Sequence, residues 1–140
     1  MTEQKKLAAA AIAAKEMSYS PYSNFRVGAA VLTKTGKIYT GCNIESAAYT
    51  PTNCAERTAI FKAVSEGERE IVAIAVAGSP ANSAVPNYCY PCGVCRQVIN
   101  EFATAEMEVI VAKTEDDYRV HKFAELLPHS FGPADLGVKP

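Results

Sequence analysis

Two short segments constrain this chain more than anything else in it: Cys54-Ala55-Glu56 and Pro91-Cys92-Gly93-Val94-Cys95. Each sits where a helix is predicted to begin. For their three thiols and one carboxylate to act together, two helix N-termini must meet. Helix N-termini favour anions through free N–H groups and aligned peptide dipoles, so thiols placed there ionise readily. Cys92 and Cys95 stand three apart, on one face of a helical turn. Three thiolates suit a Zn²⁺ ion and leave its fourth position for water, as in a catalytic rather than a closed structural site. Glu56 follows Cys54 by two residues. At a helix tip side chains lean back past the N-terminus, so a long glutamate can reach the fourth position without being a ligand. Three thiolates leave the metal with net negative charge, which weakens its power to ionise water. Arg57 and Arg96, each directly after a motif residue, are the candidates to compensate by donating hydrogen bonds to sulfur.

Alternatives stand beside this reading. A purely structural zinc site would use the same cysteines. Cys89-x-x-Cys92 is a second pair; Cys92 with Cys95 is preferred because Cys89 precedes Pro91. Cys42 reads as a core thiol. His121 and His129 read as structural or surface residues rather than ligands.

The 140 residues are read as one domain, 1–140. Net charge is -1 with no run of Lys or Arg, so a small substrate is expected and no nucleic acid. Five cysteines, an odd number, fit metal or catalytic use in a reducing compartment better than a disulfide framework, which implies a cytoplasmic protein. Lys5-Lys6 ahead of the apolar run at 7–14 imitates a short signal peptide. It reads instead as an alanine-rich helix, because Lys15 and Glu16 follow with no turn signal. No stretch approaches the ~20 apolar residues of a membrane span.

The pattern predicts a helix over 3–17, a Ser/Pro/Asn loop over 18–24, and a hairpin of strands at 26–33 and 37–42. A polar loop at 43–53 ends in Asn53, expected to cap a helix over 54–66 that Gly67 stops. The apolar run 71–77 reads as a buried strand and 78–90 as a long loop. Pro91 is expected in the first turn of a helix reaching Phe102. Strands at 108–112 and 118–121, a helical turn at 123–127 and an irregular segment after Phe131 complete the chain. The order α-β-β-α-β-α-β-β predicts an α/β mixed sheet covered by helices.

The sequence resembles the short, zinc-dependent cytidine deaminases. The motif [H/C]-x-E…P-C-x-x-C is a mark of zinc nucleobase deaminases. The likeness also runs through Tyr22-Ser23-Asn24-Phe25-Arg26-Val27-Gly28-Ala29-Ala30, Gly41-Cys42-Asn43-Ile44-Glu45, Asn53-Cys54-Ala55-Glu56-Arg57-Thr58-Ala59, Pro91-Cys92-Gly93-Val94-Cys95-Arg96-Gln97, and Leu126-Leu127-Pro128 with Phe131. It implies a single-domain three-layer fold with a five-stranded mixed sheet, assembled as a homotetramer. It implies one zinc per chain on Cys54, Cys92 and Cys95, with Glu56 as proton shuttle and Arg57 compensating charge. Asn43 and Glu45 would bind the ribose 3′-hydroxyl, Phe25 would lie beside the nucleoside, and Tyr49 and Ala55 near it. Phe131 would reach into a neighbouring subunit's site. The implied reaction is hydrolytic deamination of cytidine and deoxycytidine in pyrimidine salvage. The rivals are another substrate of the same zinc class, such as blasticidin S or a polynucleotide, and a structural zinc module. Asn43-Ile44-Glu45 alone would be a polar loop, but a carboxylate can accept two hydroxyl hydrogen bonds and repels phosphate, which favours a nucleoside. Two features depart from the family: the long 79–90 loop with Tyr88-Cys89-Tyr90, and Pro128-His129-Ser130 ahead of Phe131.

Overall fold

Central strands buried on both faces decide the architecture. The computed structural model describes residues 2–81 and 87–138. Five strands, β1 (Phe25–Thr33), β2 (Ile38–Cys42), β3 (Ile71–Pro80), β4 (Ala103–Ala112) and β5 (Tyr118–Lys122), form one sheet in the order β2-β1-β3-β4-β5. β3 and β4 run parallel and the other neighbours antiparallel, so the sheet is mixed. Helices α1 (Glu3–Lys15), α2 (Ala55–Ser65), α3 (Gly93–Phe102) and the single turn α4 (Phe123–Leu126) flank it.

Side chains of successive strand residues point to opposite faces. Ala29, Val31, Ile74, Val76, Val109 and Val111 join Ala59, Ile60 and Ala63 of α2 and Ile99 of α3 in one buried cluster. Ala30, Ala73, Ala75, Ala77, Ile110 and Ala112 join Leu7, Ala8 and Ala11 of α1 in another. Three layers follow from this split. Each fully buried Ile, Val or Leu contributes about 1.5–3 kcal/mol. The α1 side is built mostly of alanine, so backbones come close. A Cβ on Gly28 would lie 2.0 Å from the Ala11 carbonyl oxygen; on the opposite face, one on Gly41 would lie 2.5 Å from the Ala59 amide nitrogen of α2.

The register fixes where chemistry can gather. Phe25 pairs with Pro80, and Gly28 with Cys42. The start of β1 therefore lies beside the ends of β2 and β3, and α2 and α3 begin in the segments that follow those ends. In open α/β sheets, ligands bind outside the carboxyl ends of strands. The cysteine-bearing helix tips meet there, above the strand ends, rather than along a lateral edge of the sheet.

Several expectations are corrected. Asn53 is not the cap of α2; Cys54 holds that position, while Asn53 pairs its backbone with Ile44 and donates from Nδ2 to Thr58 Oγ1 at 3.1 Å. Pro91 lies just outside α3, whose N-cap is Cys92. β4 begins at Ala103, directly after α3, with no turn between them. The C-terminal segment is not wholly irregular: Pro133–Leu136 is a 3₁₀ turn, and Asp135 Oδ2 accepts from the Gly132 amide at 2.8 Å. Cys42 is half-buried, because β2 is an edge strand, and its thiol donates to the Met17 carbonyl at 3.3 Å. β3 continues to Pro80, and residues 82–86 of the loop expected over 78–90 lie outside the described residues. No described helix is long and apolar enough to cross a membrane.

Candidate active site

Cys54 and Cys92 are both N-caps in extended conformation, and neither thiol caps its own helix. Both sulfurs are thus free to turn outward from the helix tips. Cys95, in the first turn of α3, is buried. The sulfurs of Cys54, Cys92 and Cys95 lie within 4.8 Å of one another. The Cys54 and Cys92 sulfurs are 3.9 Å apart. A tetrahedral centre with Zn–S bonds of about 2.3 Å spaces its sulfurs by about 3.8 Å, so this spacing fits zinc. The expected alternative ligand, Cys89, is not in the group. Its thiol is half-buried, and burial pushes it up to about 11.

Electrostatics agree with a cation site. Cys54 is driven well below the ordinary thiol range, first by a hydrogen bond from Cys95 and then by Arg57 against the opposing effect of burial. The same bond, with burial and the nearby Glu56, drives Cys95 up. Both thiols must lose their protons to bind a metal, whose charge would favour that loss. Arg57 Nη2 donates to Cys54 Sγ at 3.3 Å. Burial alone would lower the Arg57 guanidinium, but its bonds to Cys54 and Cys95 outweigh that and raise it. Arg96, the other candidate, faces away: Nε donates to the Pro91 carbonyl and Nη1 to that of Leu126, both at 2.8 Å.

Glu56 lies in the first turn of α2, 4% exposed. Burial is the main reason its carboxyl is raised to about 7, and the neighbouring Cys54 thiolate adds to it. A carboxyl poised there can both take and give protons near neutral pH. Ala55, between Cys54 and Glu56, is fully buried.

Asn43, 8% exposed, follows β2. Its Oδ1 accepts from the Ser18 hydroxyl and the Val27 amide, and its Nδ2 donates to the Phe25 carbonyl at 2.8 Å. One N–H of the amide group remains to donate. Glu45 Oε1 accepts from the amides of Tyr22 and Ser23 at 3.0 and 3.1 Å, and Oε2 from the Ser23 hydroxyl. Burial works against its charge, but these bonds win and hold the carboxyl below its ordinary range. About one of the four acceptor positions of a carboxylate is left open, so Glu45 has room for one hydroxyl rather than two. Glu45 also lines a cleft of about 380 Å³ with Tyr22, Ser23, Tyr49 and Thr52. Tyr49, at φ 63°, meets Tyr22 edge-on with ring centroids 6.1 Å apart. Phe25 opens β1 and is partly exposed.

Phe131 stands apart from these residues. Its backbone is anchored: its carbonyl accepts from Gln97 Nε2 at 2.8 Å and Asn100 Nδ2 at 3.1 Å. Its ring is 61% exposed and does not fold back on the core. Ser18 and Ser23 orient Asn43 and Glu45, a role that no sequence signal assigns them. A Ser-rich loop was visible, but nothing in sequence ties position 18 to 43 or 23 to 45. His121 meets the Tyr90 hydroxyl and His129 lies at φ 52° after Pro128; neither is among the clustered ligands.

The chain is similar to known proteins over most of its length. Residues 1–112 match the family described as the cytidine and deoxycytidylate deaminase zinc-binding region. The cytidine deaminase of Sporosarcina psychrophila is 48% identical over 132 residues, covering 94% of this chain and 93% of its own. The probable cytidine deaminase of Dictyostelium discoideum is 41% identical over 137 residues, covering 98% of this chain and 89% of its own. Among solved structures, that of the Burkholderia pseudomallei cytidine deaminase superposes with a TM-score of 0.82 at 45% identity, covering 94% of this chain and all of the other. The Mycobacterium tuberculosis enzyme gives 0.79 at 33% identity, covering 94% and 99%.

Proposed function

This chain belongs to the family of cytidine and deoxycytidylate deaminases with a zinc-binding region, and from that premise we propose that it hydrolyses cytidine and deoxycytidine to uridine and deoxyuridine with release of ammonia, in pyrimidine salvage. The observation that carries the proposal is a buried glutamate, held near neutral pKa, beside three clustered thiols. A structural zinc module would have no use for burying that carboxylate, which is costly without a function.

Cys54, Cys92 and Cys95 would hold one Zn²⁺ per chain. The ion would supply Lewis acidity that lowers the pKa of water to about 7. Glu56 carries the protons. It takes the first from the attacking water and delivers it to N3 of the ring as oxygen bonds to C4. It passes the second to the exocyclic amine, the C4–N bond breaks, and ammonia leaves. One carboxyl thus serves as base and then as acid. Arg57, donating to Cys54, drains charge from the sulfurs so that the metal stays acidic.

Asn43 donates to, and Glu45 accepts from, the ribose 3′-hydroxyl, which sets the base over the metal. The 2′-position has no assigned reader, so both sugars are accepted. Phe25 and Tyr49 stand beside the nucleoside, and Ala55 lines its site between ligand and shuttle. Phe131 closes over a neighbouring subunit's site in a homotetramer. A near-neutral cytoplasmic enzyme acting on free nucleosides accounts for the net charge of -1 and for the absence of a Lys/Arg run.

The test is the fall in ultraviolet absorbance when cytidine is added to zinc-replete protein. Turnover should stop on chelation and return with zinc, and free cytosine should react poorly. Cytosine turned over as well as cytidine would remove the sugar-reading role of Asn43 and Glu45. No turnover of either nucleoside would remove the activity.

A further inference from the structure

Tyr88, Cys89 and Tyr90 are the last residues before the Pro91-Cys92 ligand segment, and nothing above uses the two tyrosines. Tyr88 and Cys89 both pack against the buried cluster that α2 and α3 share. Cys89 packs inward, where a Cβ on Gly78 would meet both its sulfur and the Phe25 ring at 2.9 Å. Tyr88 and Tyr90 reach β5 and the turn before it. The Tyr88 hydroxyl donates to Asp117 Oδ1 at 2.6 Å. The Arg119 guanidinium lies 4.1 Å from the centre of the Tyr88 ring, and the Lys113 ammonium 5.5 Å. The Tyr90 hydroxyl lies 3.1 Å from His121 Nε2, with the two rings 5.4 Å apart.

The strap is fixed at both ends as well. Asn87 bridges to Gly78 of β3. The Pro91 carbonyl accepts from Arg96 at 2.8 Å. Cys92 is the one exposed member of the sulfur cluster; Cys54 is half-buried and Cys95 buried. It is also a helix cap, with irregular chain on its N-terminal side. A polydentate site loses its ion by releasing one ligand first, and the ligand on the freest segment goes first. Cys92 is that ligand unless the strap holds it.

We propose that Tyr88 and Tyr90, docked on β5 through Asp117, Arg119 and His121, are positioning residues that hold Cys92 in the sulfur cluster and so slow the departure of the metal. The proposal rests on the zinc reading above. It assigns the unusual Tyr-Cys-Tyr sequence to metal retention rather than to the rim of the substrate site. Partners outside a ligand shell typically change metal affinity by about 10–100-fold, although each contact here is exposed and modest by itself.

Zinc content is measured first on the purified parent. A parent without zinc overturns this proposal together with the zinc reading. With zinc present, its release to a chromogenic chelator, 4-(2-pyridylazo)resorcinol, is timed for the parent, for Tyr88→Ala/Tyr90→Ala, and for Lys122→Ala. The last removes the Lys122–Glu106 ion pair from the same hairpin and leaves the strap alone. The double variant should release zinc about tenfold faster, and Lys122→Ala at the parent rate. Release within twofold of the parent overturns the proposal and leaves the zinc site standing. So does equal acceleration in Lys122→Ala, which would mark a general loosening of the hairpin. If the double variant does not fold, Tyr88→Phe and Asp117→Ala carry the test. Each removes the same hydrogen bond, so each should speed release, and their combination should go no further than either alone. Unchanged release in both, or additive effects, overturns the proposal.

Discussion

Glu56 shows how one residue acquires a function from its surroundings. It is two positions from a thiol of the sulfur cluster, buried in the first turn of a helix, and raised to about 7 chiefly by that burial. Glu56→Gln keeps the shape and removes the proton route. It should retain zinc and fold while kcat falls by at least about 10²–10⁴-fold, measured by the absorbance assay alongside metal analysis. Activity within about threefold of the parent would end its role as shuttle. Among the cysteines, Cys92→Ser should lose or loosen zinc and Cys89→Ser should keep it. The opposite pattern would show that the wrong pair has been chosen. The choice of Cys92 and Cys95 over Cys89 was legible because spacing and helix starts are local. The choice of Arg57 over Arg96 rested on the family likeness and not on spacing, since both follow a motif residue. Its physical ground is the engagement of Arg96 with the carbonyls of Pro91 and Leu126, the latter 30 residues away in sequence. Asn53 was misread as a cap because asparagine favours that position; an isolated bridge to Ile44 takes its backbone instead.

At the scale of elements, the close seat of α1 on the sheet follows from small side chains. Gly28→Ala would drive a Cβ to within 2.0 Å of the Ala11 carbonyl oxygen, and backbone cannot step aside as a flexible side chain can. The cost should be about 3 kcal/mol, seen as a Tm roughly 10 °C lower in thermal unfolding. A Tm within about 2 °C of the parent would show that α1 docks more loosely. The turn Lys34-Thr35-Gly36 between two apolar stretches made β1 readable, and the continuous run in β3 marked a strand buried on both faces. The first half of β4 was not readable. Ala103, Thr104, Ala105 and Glu106 carry no run of β-branched or aromatic residues and follow α3 without a turn signal. Their extended form comes from pairing, of which only Ala103 with Ile71 is regular before the register shifts. The 3₁₀ turn at Pro133–Leu136 did carry a signal, Pro133 followed by Asp135, hidden in a Gly/Pro-rich segment.

For the whole molecule, the sheet order brings the ends of β2 and β3 together, and the convergence of two helix tips follows from that topology. Phe131 looks outward from this frame, its backbone pinned to α3 and its ring 61% exposed. Phe131→Ala should raise KM about tenfold, the equivalent of one aromatic contact of about 1.4 kcal/mol, and sizing of the parent should give a tetramer. A fully active monomer at nanomolar concentration would contradict the shared site. The central claim is narrower: three sulfurs hold the metal and leave one position for chemistry. X-ray absorption at the zinc edge of the purified protein tests it most directly. One zinc per chain is expected, with three sulfur scatterers at about 2.3 Å and a single oxygen or nitrogen scatterer. Four sulfurs, with Cys89 drawn in as the fourth, would make the site a closed structural one and contradict the account.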